Sequence, residues 1–249
     1  GKSSLTNALL QKERTIVTPI AGTTRDAIDA HIKWYGKDTT LVDTAGLRKL
    51  AKIKDKIEFY SIVRTQNAID SANVVLVLID AEKGFGKQDK SIVDFVMDKG
   101  KGLIFVVNKW DLVEKETYTM KEFKEEIRYQ FKALDHYPLL FISALTKQRI
   151  HKVLETAWEV YDRSKNLVST NKLNDALDRI ISKNPPSAEQ GKVVRIKYAT
   201  QVSRNPAVIA LYVNHPKLVK TSYQRYMENQ LRQHFDFNGI PVKLSFRKK

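Results

Sequence analysis

Leu103-Ile104-Phe105-Val106-Val107-Asn108-Lys109-Trp110-Asp111 is the stretch on which the fold turns. Five apolar residues in a row predict a strand buried on both faces, as the strands of a parallel sheet are. The run then breaks into N-K-x-D, so its polar side chains fall at the strand's carboxyl end, where open α/β sheets bind ligands. An aspartate there, Asp111, can accept hydrogen bonds from the N1–H and exocyclic amine of guanine, a donor pair adenine lacks. Asn108 can meet the base's other edge, and the Lys109 stem can lie along its ring, with Trp110 between them and Asp111. Alone, the tetrapeptide reads equally as a strand end followed by a polar turn. Its neighbours decide.

Upstream, the chain opens on Gly1-Lys2-Ser3-Ser4 ahead of a helical pattern (Leu5, Ala8, Leu9), the back half of the P-loop G-x-x-x-x-G-K-[ST]. Backbone N–H groups at such a helix start favour phosphate oxygens. Lys2 can reach the β- and γ-phosphates, and the Ser3 hydroxyl can ligate Mg²⁺. The motif's first glycine and the strand before it are not in the sequence, so the natural protein is expected to continue upstream. A polar loop, Thr15 to Asp26, holds Ala21-Gly22-Thr23-Thr24-Arg25-Asp26. A hairpin is expected next: Ile28, Ala30, Ile32 and Trp34 alternate with polar residues, Gly36-Lys37-Asp38 turns, and Thr39 to Val42 returns. That return delivers Asp43-Thr44-Ala45-Gly46 at a strand's carboxyl end. An aspartate so placed can hold Mg²⁺ through a water, and a glycine N–H can approach the γ-phosphate closely.

Further on, Arg48 to Lys56 is basic and weakly periodic and reads as a loop. A helix is predicted from about Ile57 to Ser71, a strand from Val74 to Ile79 ending at Asp80, and a helix from Gln88 to Asp98. After the opening stretch come an acidic helix (Met120 to Leu134) and a strand (Leu139 to Ile142) that ends in Ser143-Ala144-Leu145. A helix from about Lys147 to Asp162 follows. Strands alternating with helices imply right-handed βαβ units and a mostly parallel sheet with helices on both faces, an α/β domain over residues 1–163.

After a polar joint, Arg163 to Asn171, a smaller α+β unit is expected over residues 172–249. Ser169 or Thr170 caps a helix with Leu173, Ala176, Leu177, Ile180 and Ile181 on one face, and Asn184-Pro185-Pro186 ends it. Val194, Ile196 and Tyr198 alternate with Arg195 and Lys197 as in a half-buried strand. Gln201 to Pro206 reads as a loop and Ala207 to Val213 as a strand. A helix with Val219, Tyr223, Met227 and Leu231 follows, its tyrosines read as core. The last strand alternates Ile240, Val242, Leu244 and Phe246, before a basic tail Arg247-Lys248-Lys249.

Composition narrows the classes. Among 249 residues there is no cysteine, hence no disulfide framework or thiolate metal site, which suits a cytoplasmic protein. The apolar runs are far shorter than the roughly 18 residues of a membrane helix. Net charge is +15 and uneven: residues 164–249 hold 16 Lys and Arg against 5 Asp and Glu. That imbalance points to a polyanionic partner.

Gly-Lys-Ser-Ser, Thr-Thr, Asp-Thr-Ala-Gly, Asn-Lys-Trp-Asp and Ser-Ala-Leu stand in the order of the five signatures of translation-factor-class P-loop GTPases. Gly22-Thr23-Thr24-Arg25-Asp26 resembles the Era/TrmE-like branch, which acts on RNA and ribosomes, and the whole chain is similar to the Der (EngA) family. Members carry two successive G domains and a C-terminal KH-like domain; this chain resembles the second G domain plus the last domain, without the upstream G domain. The resemblance implies a GTP/GDP site made by Gly1, Lys2, Ser3, Ser4, Thr23, Thr24, Asp43, Thr44, Ala45, Gly46, Leu47, Asn108 to Asp111 and Ser143 to Leu145. It implies Mg²⁺ held by Ser3, Thr24 and Asp43, with Thr23 the alternative to Thr24. Lys2, Thr24, Asp43 and Gly46 are the implied catalytic set.

Leu47 stands where many regulatory GTPases place a water-orienting glutamine, and leucine can do neither that nor take a proton. In the TrmE-like branch such an apolar residue accompanies a potassium ion. The resemblance further implies the ribosomal large subunit as partner, through rRNA or ribosomal protein, in ribosome assembly. A KH domain clamps RNA with a G-x-x-G loop, and residues 164–249 have only Gly191 and Gly239. Docking through basic side chains is therefore expected in place of that clamp. Three readings stay open: a turnover GTPase, a nucleotide-controlled RNA- or protein-binding module with incidental hydrolysis, and another Era/TrmE-like RNA-directed GTPase. A P-loop ATPase is excluded if Asn108 and Asp111 read guanine.

Overall fold

In the computed structural model, which describes residues 1–12, 30–42, 54–114 and 119–249, elements follow one another in an α/β order. They are α1 (Lys2–Lys12), the hairpin β1 (Ala30–Trp34) and β2 (Lys37–Leu41), α2 (Lys54–Ser71), β3 (Val74–Asp80) and α3 (Lys87–Asp98). Then come β4 (Gly102–Asn108), α4 (Thr119–Gln130), β5 (Leu139–Phe141) and α5 (Ile150–Lys165). The C-terminal part is α6 (Thr170–Lys183), β6 (Ile196–Ser203), β7 (Ala207–Val213), α7 (Thr221–His234) and β8 (Val242–Lys248).

β4 is the middle of a parallel sheet ordered β3-β4-β5. Leu103 to Val107 are all 0% exposed, so the strand is covered on both faces. Ile104 and Val106 pack with Leu5 and Leu9 of α1 and with Ile150, Val153 and Leu154 of α5. Leu103, Phe105 and Val107 pack on the other side with Val93 and Val96 of α3, Ile127 of α4, and Leu134. The period-two alternation of a strand thus builds two separate cores, one per sheet face. Among the described residues the hairpin pairs only with itself, β1 against β2 antiparallel. It turns on Tyr35-Gly36, both with positive φ, one residue earlier than expected.

The first core runs on without a break into the C-terminal part, through Leu173, Leu177 and Ile180 of α6, Ile209 and Leu211 of β7, and Met227 and Leu231 of α7. There β6 and β7 are antiparallel, β7 and β8 parallel, and the α-β-β-α-β order matches the expectation. Tyr223 is buried and its hydroxyl donates to the Asn184 carbonyl, so it is a core residue as expected.

Backbone joins the two parts. The Leu103 N–H donates to the Gly239 carbonyl at 2.8 Å, and the Gly239 N–H donates to the His136 carbonyl at 2.8 Å. Two residues along β4, the Phe105 N–H donates to the Pro138 carbonyl at 2.9 Å. The loop before β8 therefore continues the β5 side of the ladder at the amino end of β4. Side chains add to this: Arg163 Nε lies 2.6 Å from Asp236 Oδ2, and Lys243 Nζ donates to the Asp98 carbonyl at 3.0 Å.

Several boundaries differ from the sequence-based expectation. The acidic helix stops at Gln130, because Leu134 to His136 form a short 3-10 turn that buries Leu134. α5 starts at Ile150, after Lys147 and Arg149 adopt left-handed backbone, and runs through Arg163 to Lys165, shortening the polar joint to residues 166–169. α2 begins at Lys54, so the last residues assigned to a loop are helical. β6 extends through Ser203, taking half of the expected loop, and β8 includes Arg247 and Lys248, which are strand and not tail. Ser169 occupies the N-cap of α6 but makes no side-chain cap bond. The loop Thr15 to Asp26, with Thr23 and Thr24, lies outside the described residues. So do Asp43, Thr44, Ala45, Gly46, Leu47 and the start of the Arg48 to Lys56 segment.

Candidate functional site

Three of the five motifs converge at the carboxyl end of the parallel sheet. β3 and β4 end side by side, Asp80 opposite Asn108. A β-carbon on Gly1 would sit 3.8 Å from Asn108 Nδ2, which brings the start of α1 to the same edge. The helix begins there with the Leu5 N–H donating to the Gly1 carbonyl at 3.0 Å. Lys2 and Ser4 are exposed and Ser3 partly so, as groups meant to meet a ligand must be.

Asn108 is 5% exposed, and its side-chain oxygen accepts the Ala144 N–H at 2.9 Å. A buried amide is costly unless paired, so this contact ties the loop after β4 to the loop after β5. Backbone bonds repeat the tie: the Ile142 N–H donates to the Val107 carbonyl and the Trp110 N–H to the Ile142 carbonyl. Within the second loop, buried Ser143 accepts the Thr146 N–H on its hydroxyl at 3.0 Å. Ser143 and Ala144 are thus fixed against Asn108, whereas Leu145 is 82% exposed and makes no such contact.

Trp110 is 1% exposed and packs on Phe141 at 4.4 Å between ring centres, with Phe123 edge-on at 5.7 Å. It anchors the loop. By locking the loop from beneath, it leaves Lys109 and Asp111 on either side. Lys109 takes positive φ, and its ammonium lies 2.8 Å from both Asp80 Oδ2 and Glu82 Oε2. The hydrogen bond from Lys109 holds the Asp80 carboxyl below the usual carboxylate range, and the two carboxylates raise the Lys109 ammonium. Neither carboxylate belongs to the five sequence motifs. Asp80 was legible as a strand end beside β4; Glu82 needs the turn that follows, where its N–H donates to Asp80 Oδ1 at 3.0 Å.

Among the described residues, Asp111 Oδ1 is buried and has no hydrogen-bond partner, and the same is true of the neighbouring Trp110 Nε1–H. Leaving such an acceptor unmade costs free energy, so this buried orphan marks a place for a donor from outside. An amide-like edge with adjacent N–H groups, as guanine offers, fits it. Of the residues expected to hold Mg²⁺, Ser3 lies among the described residues at the start of α1, and Thr24 and Asp43 lie outside them.

Against known proteins, the model for 50S ribosome-binding GTPases matches residues 1–109. The model for the KH-domain-like C-terminal region of EngA bacterial GTPase enzymes matches residues 168–247. A protein of Chlorobium phaeobacteroides (strain BS1) described as GTPase Der is 48% identical over 249 residues, covering 100% of this chain and 57% of the relative. Over its whole length the chain is similar to proteins described as GTPase Der. A GTPase Der from Amoebophilus asiaticus (strain 5a2) is also 48% identical over 249 residues, covering 100% of this chain and 58% of that protein. One from Streptococcus pneumoniae (strain Hungary19A-6) is 45% identical over 250 residues, covering 100% of this chain and 57% of the relative. The chain thus spans a little over half the length of its curated GTPase Der relatives. Among solved structures, Era in complex with MgGDPNP and nucleotides 1506-1542 of 16S ribosomal RNA aligns with a TM-score of 0.50 and 22% identity. That match covers 100% of this chain and 89% of the Era chain, and it supports the fold: a P-loop GTPase domain followed by a KH-like domain.

Proposed function

We propose that the chain binds guanine nucleotide and hydrolyses GTP to GDP and phosphate, within a factor for ribosome biogenesis. One observation carries the nucleotide reading: the unpartnered, buried Asp111 Oδ1 beside an Asn108 whose own oxygen is already committed to Ala144. In this reading Asn108 to Asp111 and Ser143 to Leu145 hold the base. Gly1 to Ser4 hold the phosphates, and Ser3, Thr24 and Asp43 hold Mg²⁺, with Thr23, Thr44, Ala45, Gly46 and Leu47 around the γ-phosphate. Lys2 and the Gly46 N–H would stabilise charge on the transferring phosphoryl group directly, and Thr24 and Asp43 would do so by holding the Mg²⁺. Leu47 cannot orient water, and a potassium ion acts where an arginine finger otherwise would.

The nucleotide-binding domain comprises residues 1–163 and the KH-like domain residues 172–249. The second carries the positive excess and docks on the ribosomal large subunit, through rRNA or ribosomal protein, in the cytoplasm. The matched description, 50S ribosome-binding GTPase, supports that partner. An upstream G domain of the same natural chain accompanies both. No helix among the described residues is long and apolar enough to cross a membrane. Leu47 favours a second reading, in which hydrolysis is slow and the nucleotide serves as a clamp on a binding module.

The test uses the natural chain with its whole P-loop. Unlabelled ATP should fail to displace labelled GTP, turnover should be faster in potassium than in sodium, and GTP should change co-sedimentation with large subunits. Displacement by ATP contradicts the base reading. Equal turnover in both salts contradicts the potassium reading, and particle binding indifferent to nucleotide contradicts the docking reading.

A further inference from the structure

The sheet β6-β7-β8 has one face in the core and one outside it. Ala207, Ile209, Leu211 and Val213 of β7 point into the core with α6 and α7, so Val208, Ala210 and Tyr212 point the other way, Ala210 fully buried there and Val208 and Tyr212 partly exposed. The register sets Tyr198 of β6 and Arg247 of β8 on either side of Tyr212. The tyrosine rings stack, centres 4.4 Å apart and planes 15° apart, and Lys249 Nζ stands 5.0 Å from the centre of the Tyr198 ring. Arg247 Nε donates to Ser245 Oγ at 3.2 Å. Among the described residues neither Arg247 nor Lys249 has a carboxylate partner, and no strand of this sheet contains Asp or Glu.

Paired aromatic rings left partly exposed next to cations that have no carboxylate partner among the described residues suit a ligand that offers a flat π-face and negative charge together. An acidic peptide would use only the cations. A nucleotide outside a duplex uses both, because any base can stack on an aromatic side chain while its phosphates meet Lys and Arg. We propose that this outer sheet face binds single-stranded RNA, with an unpaired base packed on the Tyr198–Tyr212 pair and flanking phosphates on Arg247 and Lys249. The proposal rests on the reading of the basic C-terminal domain as a polyanion-binding unit. It narrows that reading to one face and one state of the nucleic acid, and it needs no G-x-x-G clamp.

The experiment measures anisotropy of a labelled oligouridylate of about 12 nucleotides against the complete natural protein across a salt series. Tyr198→Leu and Tyr212→Leu should each weaken binding roughly five- to a hundredfold with the salt slope unchanged, whereas Tyr212→Phe should bind like the parent. Arg247→Gln with Lys249→Gln should lower the slope by about 1.4, near 0.7 per lost phosphate contact. Should the leucine variants not fold, photocrosslinking of a thiouridine-substituted oligonucleotide to the unaltered protein decides: adducts on Tyr198 or Tyr212 support the proposal, and adducts only elsewhere overturn it. Folded leucine variants with undiminished affinity also overturn it. So does polyaspartate competing as well as RNA of equal charge, which would mean a merely cationic surface. Absence of any RNA binding overturns both this proposal and the polyanion reading on which it rests.

Discussion

The side-chain oxygen of Asn108 accepts the backbone N–H of Ala144 at 2.9 Å, so the loops that follow β4 and β5 form one unit. Each loop belongs to a different motif in the sequence, and neither could hold a base edge alone. The amide of Asn108 does two jobs at once: its oxygen sets the distance between the loops, and its nitrogen faces the start of α1.

Removing that amide should be felt before any ligand binds. Asn108→Ala leaves the Ala144 N–H unpaired in a buried position, which costs about 1–3 kcal/mol. Denaturant unfolding of the nucleotide-free protein should register this loss, and guanine-nucleotide affinity should fall with it. Stability within a few tenths of a kcal/mol of the parent would mean that the loops are held by backbone bonds alone.

The Lys109 clamp should be divisible. Asp80→Asn leaves the ammonium on Glu82 alone, and Asp80→Asn with Glu82→Gln releases it, so nucleotide affinity should drop severalfold only in the double variant. Acid should act in the same direction. Asp80 titrates below the usual carboxylate range, so its share of the clamp is complete above that range and is lost as pH falls through the depressed value. Titration of the Asp80 carboxyl by NMR checks the direction, and a value at or above 3.8, the ordinary one, would contradict it.

The opening stretch announced the central strand, its double burial and the position of the four polar residues, because a run of five apolar residues has few other homes. Strand and helix order in both parts followed from alternation and periodicity in the same way. Hidden from the sequence was everything that depends on who lies beside whom. Asp80 and Glu82 reach Lys109 only through the parallel register of β3 with β4. Trp110 anchors its loop because Phe141 and Phe123 pack against it, a packing the tetrapeptide alone does not show. The join between the two parts was equally silent, since Gly239 has no side chain to pattern and acts through its backbone.

Gly239 should therefore tolerate nothing larger. It has φ +81, and a β-carbon would fall 2.5 Å from Val160 Cγ2 and 3.3 Å from Pro138 Cδ. Gly239→Ala should cost about 2–4 kcal/mol through strained backbone and overpacking. It should also uncouple the two parts, so that thermal unfolding splits into two transitions. A single transition at an unchanged temperature would contradict the shared ladder.

His136 makes the same join sensitive to acid. Burial lowers its pKa, with Arg232 adding to the effect, while Asn229, Glu228 and Asp135 oppose it. A depressed histidine stabilises the folded state above its ordinary value of 6.5, and that contribution is lost as pH falls below it toward the folded value. His136→Asn should flatten the pH dependence of stability in that window. An identical slope in both proteins would place the sensitivity elsewhere.

The central claim is that Asp111 reads guanine, and the most direct measurement compares GTP with xanthosine triphosphate on Asp111→Asn. Xanthine carries an oxygen where guanine carries the exocyclic amine, and an asparagine amide can donate to that oxygen where a carboxylate cannot. Losing a charge-assisted contact should weaken GTP binding roughly ten- to a hundredfold. Affinity for xanthosine triphosphate should rise relative to GTP. If the variant instead keeps the parent's preference for GTP, the unpartnered Asp111 Oδ1 is not the base-reading atom, and the assignment of the site fails with it.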